Sequence, residues 1–228
     1  MKIRPRDPTH RLSIDITSLL RKLNLRETIN LTSPKQDTLI VIANGTPDNE
    51  AITLLLHLHN GKHTVDIAFP KYKHIKAAQI LHEYLKENYT KILLILDQEE
   101  WQIDKIHEHL KKNIIGIKNY KIDKNTKRLA TAEIEHGTKQ AKLIIVINGL
   151  DIKSLKKHTI EDHLLTLTKE LLQENIKLTG NPKQLWQQIN KNKRLKIYNE
   201  MLKHKNTTLK HFKQHNKAIA LIKQNNPK

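Results

Sequence analysis

Two apolar runs in the sequence end in polar residues whose side chains could bind a metal ion or take part in catalysis. Residues 39–43 are followed by Asn44, Gly45 and Asp48, and residues 92–96 are followed by Asp97, Glu99 and Glu100. Mg²⁺ is a hard cation that binds oxygen ligands and keeps several of its waters, so a few carboxylates suffice to hold it. The pattern therefore predicts a Mg²⁺ or Mn²⁺ site at these two positions.

The elements that would position these residues alternate along the chain. Aliphatic runs predict buried strands, and amphipathic segments predict the helices between them. The strands are expected at 39–43, 65–69, 92–96 and 143–147, and the helices at 48–58, 72–88, 101–112 and 160–173. This alternation indicates βαβ units in a mainly parallel sheet. The carboxyl ends of such strands share one edge, where sites are built.

The fold class expected is therefore α/β, with a Rossmann-like sheet flanked by helices and a basic helical appendage. Residues 114–122 and 129–135 are expected to form a two-strand insertion in the core. We divide the 228 residues into an N-terminal extension (1–37), an α/β core (38–175) and a basic helical C-terminal region (176–228). Aromatic residues are only 4% of the chain, so the core must be aliphatic.

Several classes of site are disfavoured by composition and spacing. The chain has no cysteine, which excludes a disulfide, a thiolate zinc site and a cysteine nucleophile. It also lacks the GxGxxG, P-loop, GxSxG and HExxH motifs. No run approaches the ~20 apolar residues of a membrane span, and the first residues do not read as a signal peptide. We expect a cytoplasmic protein with no membrane contact.

The positive charge is concentrated near the C-terminus. Residues 176–228 hold 13 Lys or Arg and one acid, which is +12 of the net +18. A near-neutral core with one basic appendage is typical of proteins that bind polyanions, so DNA or RNA is the expected partner. The alternative is a solvated lysine-rich surface. The residues expected to contact phosphates are Lys191, Lys193, Arg194, Lys196, Lys203, Lys205, Lys210 and Lys213.

Three aromatic residues, Trp186, Tyr198 and Phe212, lie among these basic residues. They could stack on bases, or they could pack the C-terminal helices onto the core. Their helical spacing among other apolar residues favours packing.

The two strand ends together resemble the Toprim domain over roughly residues 38–150. That catalytic fold is shared by topoisomerases, bacterial-type primases, OLD-family nucleases and several small archaeal proteins. In the family a first strand ends in Glu-Gly and a later strand ends in Asp-x-Asp; here Asn44-Gly45 and Asp97-Gln98-Glu99 stand at those places. The resemblance implies that Asp97 and Glu99 hold Mg²⁺ or Mn²⁺. Asp48, beside the first strand end, or Glu161, which could reach the same sheet edge, would support them.

Asn44 is the main departure from the family pattern. It stands where the family has its acid/base glutamate, and an amide cannot take up a proton at ordinary pH. The candidate catalytic residues are the three at the family's motif positions, Asp97, Glu99 and Asn44. Because the acid/base glutamate is replaced, we expect a metal-dependent phosphodiester nuclease with a degenerate site. One alternative is a catalytically inactive nucleic-acid-binding module; another is a Rossmann-like protein whose basic arm binds an acidic partner.

Each acidic candidate also has a purely structural interpretation. Asp48 and Asp97 could be helix N-caps. Glu99 and Glu100 are expected in the first turn of the next helix, where acids interact favourably with the helix dipole.

Overall fold

The protein was analysed as a computed structural model that describes residues 1–61 and 63–224. The end of the predicted C-terminal region, residues 225–228, lies outside the described residues. In the described part of the chain, none of the helices combines the length and the apolar character that crossing a membrane requires.

Seven strands and nine α-helices make up the described fold. The strands are β1 (Lys2–Pro5), β2 (Thr38–Ile42), β3 (Thr64–Ala68), β4 (Lys91–Asp97), β5 (Ile117–Asp123), β6 (Thr126–His136) and β7 (Lys139–Asn148). The helices are α1 (Arg11–Lys22), α2 (Asp48–Leu58), α3 (Leu81–Lys86), α4 (Ile103–Asn113), α5 (Ile160–Leu171), α6 (Pro182–Gln188), α7 (Lys191–Lys203), α8 (Lys205–His211) and α9 (Lys213–Lys223). Two 3₁₀ segments span Arg26–Thr28 and His74–Ile80.

All seven strands belong to one sheet in the order β1-β3-β2-β4-β7-β6-β5. The first five in this order are parallel, and β6 and β5 add to β7 as antiparallel strands. This confirms an α/β fold with a mostly parallel sheet, flanking helices and additional C-terminal helices. The predicted two-strand insertion is the antiparallel end of the same sheet.

The central strands are buried on both faces. Every residue of β2 and β4 is buried, and alternate side chains enter different layers. Ile40 and Ile42 pack on the side of α1, α2 and α5, whereas Leu39 and Val41 pack on the side of α3 and α4. Since a fully buried aliphatic side chain contributes ~1.5–3 kcal/mol, these continuous apolar runs stabilise the centre of the sheet most strongly.

The C-terminal helices complete one of these two layers. Trp186, Tyr198 and Phe212 are at most 2% exposed and join the cluster that contains Ile40 and Ile42. The expectation that these aromatics are packing residues is therefore confirmed. The N-terminal segment likewise enters the fold, because β1 is the edge strand beside β3 and α1 contributes to the same cluster.

Three local expectations were wrong in detail. The segment expected to be one helix at 72–88 is a 3₁₀ segment followed by the short α3. The helix after β4 begins at Ile103, so Glu99 and Glu100 lie in the preceding loop and not in a first helical turn. The N-cap of α2 is Pro47, and the Asp48 side chain does not cap the helix but turns into the protein.

Candidate metal site

The carboxyl ends of three neighbouring parallel strands form the candidate site. Asp97 is the last residue of β4, and it pairs in register with Asn148, the last residue of β7. Asn44 follows β2, which lies on the other side of β4. Because parallel strands end at one sheet edge, these three side chains converge although they are far apart in sequence.

Asn148 joins two buried carboxylates. Its Nδ2 donates to Asp48 Oδ1 at 2.7 Å and to Asp97 Oδ1 at 2.9 Å. Asn44 Nδ2 also donates to Asp48 Oδ1, at 3.2 Å. Asp48 is 2% exposed and Asp97 is 3% exposed. The two amides thus fix the orientation of both carboxylates without supplying a positive charge.

His215 of α9 fixes the orientation of Asn148 in turn. Its Nε2 lies 2.7 Å from Asn148 Oδ1, which only accepts hydrogen bonds, so Nε2 carries the proton. Burial, together with the nearby His163, lowers the pKa of His215 well below its usual range, so the ring is neutral. A C-terminal helix thus positions an amide in the core of the site.

The amino end of α5 adds a third buried carboxylate. Glu161 is 3% exposed, and the neighbouring backbone N–H of Ile160 donates to Asp97 Oδ1 at 3.3 Å. Burial and the charge of Asp97 raise the pKa of Glu161 to about 7. Glu161 therefore belongs to the same electrostatic cluster as Asp97 and Asp48.

Glu99 lies at the rim of this cluster in an unusual backbone conformation. Its φ is +57°, which a glutamate rarely adopts. Two backbone hydrogen bonds of 2.9 Å with His158 hold it there. Its carboxylate lies 3.4 Å from His74 Nδ1 and 3.4 Å from Lys157 Nζ. The loop between β4 and α4 is thus shaped to turn Glu99 toward the site, while Glu100 is exposed.

Lys183 of α6 supplies the positive charge nearest to the buried acids. Its Nζ lies 3.3 Å from Asp97 Oδ2 and contacts Glu99 Oε1 directly. Although burial opposes the shift, Asp97 and Glu99 raise the pKa of Lys183, which therefore remains an ammonium. Burial alone would raise the pKa of Glu99, but the contact with Lys183 outweighs it and lowers that pKa.

One lysine does not neutralise the buried acids. Burial, and then the charges of Asp97 and Glu161, raise the pKa of Asp48 well above its usual range. Burial also raises the pKa of Asp97, even though Lys183 opposes this. Buried charges are strongly destabilising unless they are paired or coordinate a metal. Without a cation, these buried acids therefore hold protons more readily than exposed carboxyl groups do, and a divalent ion that bound here would replace those protons.

The donor set fits a hard divalent cation. Asn44 Oδ1 and Glu161 Oε2 are buried and have no hydrogen-bond partner in the described part of the chain, and the only charged partner of Asp97 Oδ2 described there is Lys183. His74, Asp97 and Glu99 can each offer one ligand atom within 4.8 Å of the other two. Carboxylate oxygens are the ligands that Mg²⁺ and Mn²⁺ prefer. The imidazole of His74 is a ligand more typical of zinc, copper, iron or nickel.

Of the eight basic residues expected to contact nucleic acid, three contact other groups of the protein. Lys193 pairs with Glu174 at 2.6 Å, and Lys203 pairs with Glu200 at 2.8 Å. Arg194 donates to the carbonyls of Trp186 and Gln187 and is half-buried. Five others are exposed to solvent: Lys191, Lys196, Lys205, Lys210 and Lys213.

Sequence reasoning identified Asn44, Asp48, Asp97, Glu99 and Glu161 but missed four residues that surround them. The missed residues are His74, Asn148, Lys183 and His215. Asn148 had a visible signal, since it ends an apolar run immediately before a glycine. The other three lie on separate elements with no local motif, so their roles emerge only from packing.

Comparison of the chain with models of known protein families, with curated proteins and with solved structures gives no match in any of the three.

Proposed function

We propose that this protein is a Toprim-like, Mg²⁺- or Mn²⁺-dependent phosphodiester hydrolase that acts on nucleic acid. The observation that carries the proposal is the buried cluster of Asp48, Asp97 and Glu161, with Glu99 at its rim and His74 beside it. The order of the motifs supports the Toprim-like assignment, with Asn44-Gly45 after β2 and Asp97-Gln98-Glu99 at the end of β4.

In this proposal Asp97 and Glu99 are the principal metal ligands, supported by Asp48 and Glu161. A bound Mg²⁺ or Mn²⁺ would supply an activated water and would offset charge on the leaving oxygen. Asn148 and Asn44 hold the carboxylates in place through the hydrogen bonds described above. Asn44 itself cannot transfer a proton, so its contribution is positional.

The lysines at the rim favour an anionic substrate. Lys157 and Lys183 both lie against Glu99, at the outer side of the buried acids. A phosphodiester approaching the site would meet these ammonium groups first. Lysine binds phosphate as a point charge without demanding a fixed geometry.

The test compares neighbouring carboxylates. Purified protein is incubated with labelled single- and double-stranded DNA and RNA in Mg²⁺, Mn²⁺ or EDTA. We expect metal-dependent products that fall at least ~100-fold in Asp97→Asn and Glu99→Gln, because each removes a ligand charge. Glu100→Gln is the matched control, since Glu100 is exposed and adjacent to Glu99, and it should retain activity. Asp97→Asn keeps the size of the side chain, and burial already favours the neutral form of Asp97, so this variant should still fold.

A second function is favoured by the position of Lys183. Its ammonium group lies beside Asp97 and Glu99, where a metal ion would otherwise bind. This is the arrangement expected of a nucleic-acid-binding module that has lost catalysis. Intact substrate in every metal, together with binding that weakens as salt increases, would establish this inactive module and refute the hydrolase.

A further inference from the structure

Two exposed aromatic side chains lie at the rim of the acidic cluster. Tyr72 is 49% exposed and Trp101 is 47% exposed, whereas Trp186, Tyr198 and Phe212 are buried. Each ring presents a large apolar face to solvent on which a flat ligand could stack. The aromatics of the C-terminal region are thus unavailable for stacking, while these two are available.

The sheet places Tyr72 and Trp101 on opposite sides of the end of β2. Tyr72 lies in the loop after β3 and Trp101 lies in the loop after β4, and these strands flank β2. Both loops contact the site. His74, two residues after Tyr72, lies 3.4 Å from Glu99 and donates its backbone N–H to Ala43 O at 3.1 Å. Glu99 in turn is two residues before Trp101.

Hydrogen bonds fix the backbone of Trp101, and one ring contacts its indole. Gln98 Nε2 donates to Trp101 O at 2.8 Å, and Trp101 N donates to Gln98 O at 3.2 Å. The ring of His109 meets the indole edge to face, with centroids 5.9 Å apart. The contact with His109 restricts the indole, and a restricted ring loses less conformational entropy when a flat ligand stacks on it.

The charge around these rings indicates the class of ligand. Residues 70–76, Pro-Lys-Tyr-Lys-His-Ile-Lys, contain three lysines and no acid, and all three lysines are exposed. We call the set of Lys71, Tyr72, Lys73, Lys76 and Trp101 the aromatic rim. Aromatic faces interleaved with lysines match a flexible strand in which flat bases alternate with phosphates.

From this arrangement we infer that the aromatic rim binds single-stranded nucleic acid by stacking bases on Tyr72 and Trp101, next to the acidic cluster. The inference rests on the proposed nucleic-acid substrate and narrows it to unpaired strands. In a duplex the base faces are covered by their neighbours, so only a single strand can offer them to both rings.

The test uses the two tryptophans of the chain as separate reporters. Trp186 is 2% exposed, so only Trp101 should be quenched by a stacked base. Protein in EDTA is titrated with a 12-residue oligothymidylate and with an abasic oligomer that carries the same number of phosphates. We expect the oligothymidylate to quench fluorescence and to bind more tightly than the abasic oligomer. A duplex of the same length should bind more weakly than the single strand.

Variants of the two rings separate the contribution of stacking to binding from the contribution of charge. Trp101→Ala and Tyr72→Ala should each weaken oligothymidylate binding about 5- to 150-fold, followed by fluorescence anisotropy of a labelled strand, and should leave abasic binding unchanged. Tyr72→Phe keeps the ring and should bind normally. Ile115→Ala is the matched control, because Ile115 is 59% exposed in the turn between α4 and β5, outside the aromatic rim.

Equal affinity for the oligothymidylate and the abasic oligomer would overturn the inference, as would unchanged affinity in both alanine variants. Competition by poly-glutamate as strong as competition by oligothymidylate would also overturn it, in favour of an acidic protein partner. These outcomes are separable from the proposed hydrolysis. Loss of stacking with intact Asp97-dependent cleavage refutes only the aromatic rim, whereas stacking without cleavage refutes only the hydrolase.

Discussion

Replacing Lys183 by methionine tests whether this ammonium group occupies the place of a metal ion. At 3.3 Å from Asp97 Oδ2, the attraction between the two charges is ~5 kcal/mol at an effective dielectric constant of 20. Lys183 loses hydration and side-chain entropy when it makes this contact, and its side chain is still 33% exposed. The net contribution to the free energy of unfolding is therefore smaller, ~2 kcal/mol, between the values for surface and buried pairs.

The assay is urea denaturation of the wild type and Lys183→Met in EDTA and in increasing Mn²⁺. Methionine retains most of the apolar stem, so the loss in EDTA should reflect mainly the charge. In the variant Asp97 no longer contacts an ammonium group and Glu99 keeps only the ammonium group of Lys157, so Mn²⁺ should bind more tightly. At 100 times the dissociation constant, the ion would stabilise the folded variant by ~2.7 kcal/mol.

Lys157→Met is the matched control for this experiment. Lys157 is as exposed as Lys183, at 32%, but it contacts only Glu99 and Glu100. Its replacement should lower the free energy of unfolding by less than ~1 kcal/mol and should change the effect of Mn²⁺ little. If Mn²⁺ stabilised the wild type and Lys183→Met equally, the idea that Lys183 competes with the ion would be wrong.

Two further predictions concern pH. Because the pKa of Glu161 is raised to about 7 in the folded protein, the folded state binds more protons than the unfolded state from about pH 4.5 to 7, and stability falls as pH rises through that window. Glu161→Gln should therefore be more stable than the wild type at pH 8 in EDTA, by ~3 kcal/mol at most, and nearly equal to it at pH 4.5; equal urea midpoints at both pH values would contradict this. Burial lowers the pKa of His163 to about 3, so the unfolded chain binds the proton first and His163 opposes folding progressively as pH falls below 6.5. Its imidazole resonances in the folded protein should not titrate between pH 7 and 4.5, and a midpoint near 6.5 would show that the ring is solvated.

The central strands could be predicted from the sequence because their burial on both faces requires a continuous apolar run. β2 and β4 correspond closely to the aliphatic segments expected there. The position of Asp97 and Asn44 at one edge followed from parallel pairing, which the alternation of strands and helices already indicated. The kinked segment after β3 was harder to predict, because the 3₁₀ and α conformations place apolar residues at similar spacing.

Helical spacing predicted that Trp186 would be buried, but no pattern in the sequence predicted that Trp101 would be exposed. Trp186 and Trp101 both lie among polar residues in the sequence, yet one is 2% exposed and the other is 47% exposed. Burial depends on which surface an element packs against: α6 packs against α5, and Trp186 enters the larger apolar cluster, whereas Trp101 remains outside it. The position of Lys183 beside Glu99 likewise depends on packing, because the two residues are 84 positions apart along the chain.

The sequence by itself determined the alternation of strands and helices, the apolar centre of the sheet and the acidic residues at the strand ends. These features follow from local composition and from the fixed geometry of parallel strands. Only the tertiary structure decided that Asn148 joins Asp48 to Asp97, that His215 orients Asn148 and that Lys183 lies against the acids. These contacts join residues far apart in the chain, and their energies depend on burial and distance, which exist only after the helices have packed on the sheet.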